Sequence, residues 1–111
     1  VGALKYSDEF MALAGKIGRY NIKVGEVLSD KDTILSVSEI FSRTNKRFRG
    51  ATIYTDQNGR YFYRDTLHTG PSSHLEVFDK NGNHLGEADP ITGELIEGTK
   101  DVSKKLDKDY R

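Results

Sequence analysis

Asp65, His68, His74 and Glu76 lie within twelve residues of one another, in the stretch RDTLHTGPSSHLEVFD that runs from Arg64 to Asp79. Two of the three histidines of the chain are here. Such a set joins groups that take protons to groups that give them. A carboxylate serves as a base, and an imidazole, with an ordinary pKa of about 6.5, serves as an acid near neutral pH. That pairing suits RNA cleavage through the ribose 2′-hydroxyl. The reaction needs a base for the 2′-OH proton, an acid for the leaving 5′-oxygen, and positive charge or hydrogen bonds on the phosphate. An Asp beside the His orients it and holds its proton. The chemistry requires no metal, and a metal reading of Asp65, His68 and Glu76 finds neither Cys nor helical ligand spacing in support.

The elements that must position these groups are strands. From Gly50 onward the sequence alternates as β-structure does: ATIYT, a turn at DQNG, RYFYRD, then HLEVFD, a second turn at KNGN, and HLGEAD. Asn58–Gly59 and Asn81–Gly82 are hairpin signals. ADPITGEL adds a turn at Asp89–Pro90 and Gly93 and a short strand at Leu95–Ile96. These segments predict an antiparallel meander over residues 50–98. Successive strand residues face opposite ways. With Leu75, Val77 and Phe62 in the core, Tyr61, Tyr63, Asp65, His74 and Glu76 share an outer, solvated face. Tyr63 adds a stacking surface there. The same pattern also fits a plain polar strand face, with Asp65 ending a strand and His68 bonded to backbone. His84 reads as structural, because it follows a tight turn.

Residues 1–45 read as helical. Ser7 caps a first helix with Leu4, Met11, Leu13, Ala14 and Ile17 along one stripe, closing at Tyr20–Asn21. Residues 22–27 alternate as a short strand or extended linker. A second helix is expected from Ser29 or Asp30 to about Arg43, with Ile34, Leu35, Val37, Ile40 and Phe41 as its apolar face. Helices followed by an antiparallel sheet give the α+β class. The tail, residues 99–111, is of mixed charge and expected to be poorly ordered.

At 111 residues the chain fits one domain, with 35% apolar and 31% charged residues. It carries no Cys, so no disulfide, and no apolar run long enough for a membrane span. It opens without Met or a signal-peptide pattern, which fits a piece cut from a longer protein. Net charge is zero but uneven: residues 1–50 hold nine Lys/Arg against six Asp/Glu, and residues 51–111 eight against eleven. The cluster Arg43, Lys46, Arg47 and Arg49, with Phe48 among them, is of the kind that meets a phosphate backbone, and equally of the kind found in a solvated loop.

Asp65-x-x-His68, then Leu75-Glu76, then HLGEADPITG from His84 to Gly93 resembles the C-terminal ribonuclease domain of the colicins that cut ribosomal RNA, and related contact-dependent toxins between bacteria. The resemblance spans Tyr61 to Gly98. It implies a compact α+β domain with a strongly twisted sheet that cuts small-subunit (16S) ribosomal RNA near the decoding site, without a cofactor. Glu76 takes the family's general-base role, His68 the general acid and Asp65 its electrostatic partner. It further implies a cognate immunity protein, export or cell-surface delivery from the producing bacterium, and action in the target cell's cytoplasm. The chain departs from the pattern in four ways. TGPSS lengthens the segment between His68 and Glu76, which makes His74 a substitute acid. Phe78 stands where the family has Tyr. Lys104 and Lys105 stand nearest the position of a phosphate-binding Arg, and a Lys offers no bidentate fork. The domain is neutral, not basic. The expected RNA contacts are therefore Arg43, Lys46, Arg47, Arg49, Tyr63, Lys104 and Lys105. The same chemistry on tRNA is the nearest alternative, and a non-catalytic RNA- or protein-binding module using the Arg43–Arg49 cluster is the other.

Overall fold

A computed structural model of the protein describes residues 18–111. Five strands form one antiparallel sheet in sequence order: β1 Phe41–Phe48, β2 Ala51–Asp56, β3 Tyr61–Arg64, β4 Leu75–Phe78 and β5 His84–Ala88. The predicted meander is present. Among the described residues the only helical segments are single 3-10 turns, so the described part is mainly β and not α+β. The expected first helix lies almost wholly outside the described residues; its closing segment, Arg19–Asn21, is one 3-10 turn.

The expected helix from Ser29 to Arg43 is absent. In its place are 3-10 turns at Asp30–Asp32 and Ile34–Ser36, followed by β1. Side chains here compete with the helical ladder. Ser29 and Asp32 form a reciprocal capping box that closes a single turn. The Thr33 hydroxyl then donates to the Asp30 carbonyl and accepts from the Leu35 N–H, which starts a new turn. Phe41 onward pairs with β2, giving β2 a partner on its outer edge. Of the basic cluster, Arg43, Lys46 and Arg47 lie in strand β1, and Arg49 lies with Gly50 in the turn from β1 into β2, both at positive φ. Arg-Gly is not among the residue pairs that announce such a turn.

The next two hairpins use one device twice. Asp56 accepts from the N–H groups of Asn58 and Arg60, and Asp79 from those of Asn81 and Asn83, so each DxNG run folds on its own carboxylate. Asp89 does the same for Ile91 and Thr92, the turn expected from DPITG.

Both faces of the sheet are covered. On one, Ile34, Leu35, Phe41, Tyr54, Phe62, Leu75, Val77 and Ala88 form the larger cluster. Arg64 pins the 3-10 turns there through Asp30 and the Leu28 carbonyl. On the other face, Ala51, Ile53, Tyr63 and Phe78 pack against Leu106 of the tail, with Phe48 and Tyr110 at the margin. The tail is therefore part of the fold. Leu106 is buried, its N–H donates to the Gly82 carbonyl at 2.8 Å, and Lys105 bridges to Asn83. A Cβ on Gly82, whose φ is +84°, would lie 2.3 Å from the Leu106 carbonyl oxygen, so the Asn–Gly turn also makes room for the tail. The face expected to be solvated carries a second, smaller core.

Candidate active site

Glu76 sits mid-strand in β4, opposite Tyr63 of β3 and Glu87 of β5. Strand parity put Asp65, His74, Glu76 and Tyr63 on one side, and the structure brings them together there. It differs in burial: His74 and Glu76 are 5% and 4% exposed. A buried polar group must have its hydrogen bonds satisfied, and here each atom has a definite partner.

Asp65 follows β3. Its Oδ1 accepts from the N–H of Leu67 (2.6 Å) and of His68 (3.3 Å). Its Oδ2 faces His68 Nδ1 at 3.0 Å and His74 Nε2 at 2.9 Å. An ionised carboxylate has about four acceptor sites, and all are taken. Burial pushes the Asp65 carboxyl up, but the Leu67 N–H, His68 and the His74 charge outweigh it and hold it below the usual range. Asp65 has no site left for a proton from substrate; it orients His68.

Glu76 Oε1 accepts from His84 Nε2 at 2.7 Å. Its Oε2 faces His74 Nε2 at 3.1 Å and Lys104 Nζ at 3.3 Å. Three of about four acceptor sites are used, and one lone pair on Oε1 stays open. Burial raises this carboxyl too, but the bonds from His74 and His84 and the Lys104 charge leave it below its ordinary value, ionised at neutral pH.

The three imidazoles have separate situations. His84 Nδ1 accepts from the Asp101 N–H at 2.9 Å, so its proton is on Nε2 and goes to Glu76. His84 was read as structural, yet it holds the central carboxylate. Plain alternation from Ala88 puts it on the larger core's face. A bulge at Leu85–Gly86 shifts the register, so that both His84 and Glu87 face the Glu76 side. The bulge needs Gly86, at φ +143°, and nothing in the sequence marked it beyond that Gly in HLG. His74 is enclosed, with Nδ1 against the Ser72 carbonyl at 3.0 Å. His68 is open: its side chain is 54% exposed, and Nδ1 on Asp65 leaves Nε2 toward the solvent side. Of the two candidate acids, only His68 lines the main cleft.

That cleft, of about 300 Å³, runs between the β1–β2 turn, the loop after β3, and the tail. Asp65, His68, Glu76, Tyr63, Arg49, Lys104 and Lys105 all line it, together with Phe48 and Phe78. Tyr63 stacks on Phe78 (centroids 5.8 Å apart) and meets the tilted ring of Phe48 at 5.1 Å. Burial, then the Glu76 and Asp65 charges, push its phenol well up, so it stays a hydroxyl donor. Arg49 is the one described non-glycine residue at positive φ (49°). Its guanidinium lies 5.3 Å from the Phe48 ring at the cleft mouth. Backbone strain of this kind gathers at functional sites.

The rest of the predicted basic surface does not belong to the cleft. Arg43 pairs with Tyr54 and Arg47 with Thr52, which turns both to the face of the larger core. Lys46 sits in the irregular part of β1. Two groups of possible metal ligands, Asp65/His68/His74 and His74/Glu76/Glu87, have ligand atoms within 4.8 Å of one another. Both include His74, whose Nε2 lies 2.9 Å from Asp65 Oδ2 and 3.1 Å from Glu76 Oε2. Among the described residues no helix is long and apolar enough to cross a membrane. Comparison with protein-family models, curated proteins and solved structures finds no match for this chain.

Proposed function

We propose that this chain is the ribonuclease domain of a bacterial toxin that cuts small-subunit ribosomal RNA near the decoding site, by metal-independent transphosphorylation. The observation that carries the reading is the cleft itself. An ionised carboxylate with one free lone pair, an exposed imidazole oriented by an Asp, and the cations Arg49, Lys104 and Lys105 line the same space, beside Arg64, which is held by Asp30. Glu76 takes the 2′-OH proton on Oε1. The 2′-oxygen attacks phosphorus, the bond to the 5′-oxygen breaks, and His68, entering as the imidazolium with its Nδ1–H on Asp65, gives that oxygen its Nε2 proton and is left neutral. A 2′,3′-cyclic phosphate and a 5′-hydroxyl result. Lys104, Lys105 and Arg49 offset the charge building on the phosphate. Tyr63, framed by Phe48 and Phe78, offers a hydroxyl and an aromatic edge to the nucleotide. A protein of this activity needs a cognate immunity protein in its producer and a route from the producer's surface into the target cytoplasm.

The test is induced expression in bacteria, with primer extension across the decoding site, beside purified protein acting on ribosomes. Glu76→Gln, of the same shape, is expected to lose RNA cleavage about 100-fold or more and to relieve growth arrest while keeping its circular dichroism. Full toxicity in that variant removes Glu76 as base. Broken tRNA with intact ribosomal RNA redirects the same chemistry to tRNA. Salt-sensitive RNA binding with no cleavage and no growth arrest makes the chain a binding module.

A further inference from the structure

We infer that His74 is a positioning residue: a buried imidazolium that clamps Asp65 and Glu76 side by side and keeps both ionised, without itself touching substrate. The inference rests on the reading of Glu76 as the base. His74 arrives through the TGPSS segment, whose Gly70–Ser72 3-10 turn presents the Ser72 carbonyl to Nδ1. A carbonyl only accepts, so Nδ1 carries a proton. Nε2 faces acceptors as well: Asp65 Oδ2 at 2.9 Å, Glu76 Oε2 at 3.1 Å and Glu87 Oε2 at 3.7 Å. Either Nε2 also carries a proton, or a carboxyl does. The remaining partners decide the matter. Asp65 already receives three other N–H donors, and Glu76 receives His84 and the Lys104 ammonium. A proton on one carboxyl would serve Nε2 from that side only and leave the other carboxylate, at 2.9 or 3.1 Å, with its lone pair against the bare lone pair of Nε2, whereas a proton on Nε2 serves both.

The charges around the ring are consistent. Asp65 after β3, Glu76 of β4 and Glu87 of β5 are the anions. Lys104 reaches Glu76 from the tail, and the His68 ring is 5.0 Å away. Burial disfavours the imidazolium, but the bond to Glu76, the Ser72 carbonyl and the other two carboxylates outweigh it and raise the His74 pKa. Take the cation away, and the Asp65 and Glu76 oxygens, held within about 6 Å of each other by a common nitrogen, repel until one takes a proton. A protonated Glu76 is no base. His74 does not line the cleft, so its action is through its neighbours.

The test uses His74→Gln, which keeps an N–H donor near the Nε2 position and removes the charge. RNA cleavage is measured as kcat and KM against pH. The expected result is an acid limb of kcat moved up by about one pH unit or more, so that on that limb kcat is down about tenfold or more, with KM changed less than about threefold. A uniform fall with the limb unmoved overturns the proposal, since lost packing alone does that. The second measurement is nitrogen NMR of the wild-type imidazoles. Both His74 nitrogens are expected to be protonated at pH 7, and a singly protonated His74 overturns the proposal whatever the kinetics. This arm needs no variant, so it stands if the Gln substitution prevents folding. It also separates the two readings: an imidazolium in a chain that cleaves no RNA keeps the clamp and removes the base assignment.

Discussion

Replacing Leu106 by Ala tests whether the tail is a structural part of the domain. Leu106 is 2% exposed and lies against Ala51, Ile53, Tyr63 and Phe78, the floor of the site face. Its backbone N–H stays bound to Gly82 in either variant. What is lost is the burial of three carbons and their contacts. Buried Leu→Ala changes cost about 2–5 kcal/mol, less where neighbours relax into the space. The tail covers the sheet as a single strand of chain, free to settle inward, so about 2–3 kcal/mol is expected. For a domain of this size that is a fall in melting temperature of about 8–15 °C. Urea unfolding followed by circular dichroism measures it, with the midpoint lowered and the slope kept. The variant also loosens Lys104 and the Asp101 N–H, which engage Glu76 directly and through His84. A loss below about 0.5 kcal/mol, the range of ordinary surface changes, would show that the tail does not cover this face and would undo the site geometry with it.

Two further outcomes follow from the same contacts. Folded-state values of Asp65 and Glu76 lie below their unfolded ones, so their stabilisation is present above about pH 4 and lost as pH falls through the folded values; that of His74 lies above, so its stabilisation is present below about pH 6.5 and lost as pH rises through the folded value. Melting temperature should therefore peak between about pH 4.5 and 6.5, and a scan that keeps rising to pH 9 would contradict the clamp. Gly82→Ala and Gly59→Ala share a positive φ, but only the first meets a backbone oxygen, with 2.3 Å to Leu106 against 3.7 Å to Lys80 Cβ. Denaturant titration should show about 1 kcal/mol lost for Gly59→Ala and at least about 1 kcal/mol more for Gly82→Ala; equal losses would mean an unseated tail.

The parts of this fold that were legible are those with short-range chemistry. Two Asn–Gly pairs, each after an Asp two residues earlier, located two hairpins, and period-two alternation assigned Tyr63, Asp65, His74 and Glu76 to one face. What was not legible depends on distant partners. Val37, Ile40 and Phe41 fit a helical stripe, and nothing local said that β2 would recruit Phe41–Phe48 as its outer neighbour. The mixed-charge tail carries few apolar residues, and its order comes from a floor of Ile53, Tyr63 and Phe78 that no local signal reveals. His84 reads as structural because it follows a tight turn, and the bulge that turns it toward Glu76 breaks the alternation that would otherwise place it.

The covering of the second face is also what gives the site defined protonation states. On an open strand face, Glu76 and His74 would exchange partners with water, and either histidine would serve as proton donor equally well. Enclosed, every hydrogen has one place. The Ser72 carbonyl and two carboxylates commit both nitrogens of His74. The Asp101 N–H commits His84 to a single tautomer. Among the three imidazoles only that of His68 has a ring nitrogen, Nε2, with no carboxylate or backbone partner, and Glu76 Oε1 has a single donor in His84. On the proposed function, acid and base are distinguished by which hydrogen-bonding sites the surrounding chain has left open. A tail of low hydrophobicity is sufficient for this, because it closes the face with one buried leucine and presents Lys104 to the carboxylate from the same turn of chain.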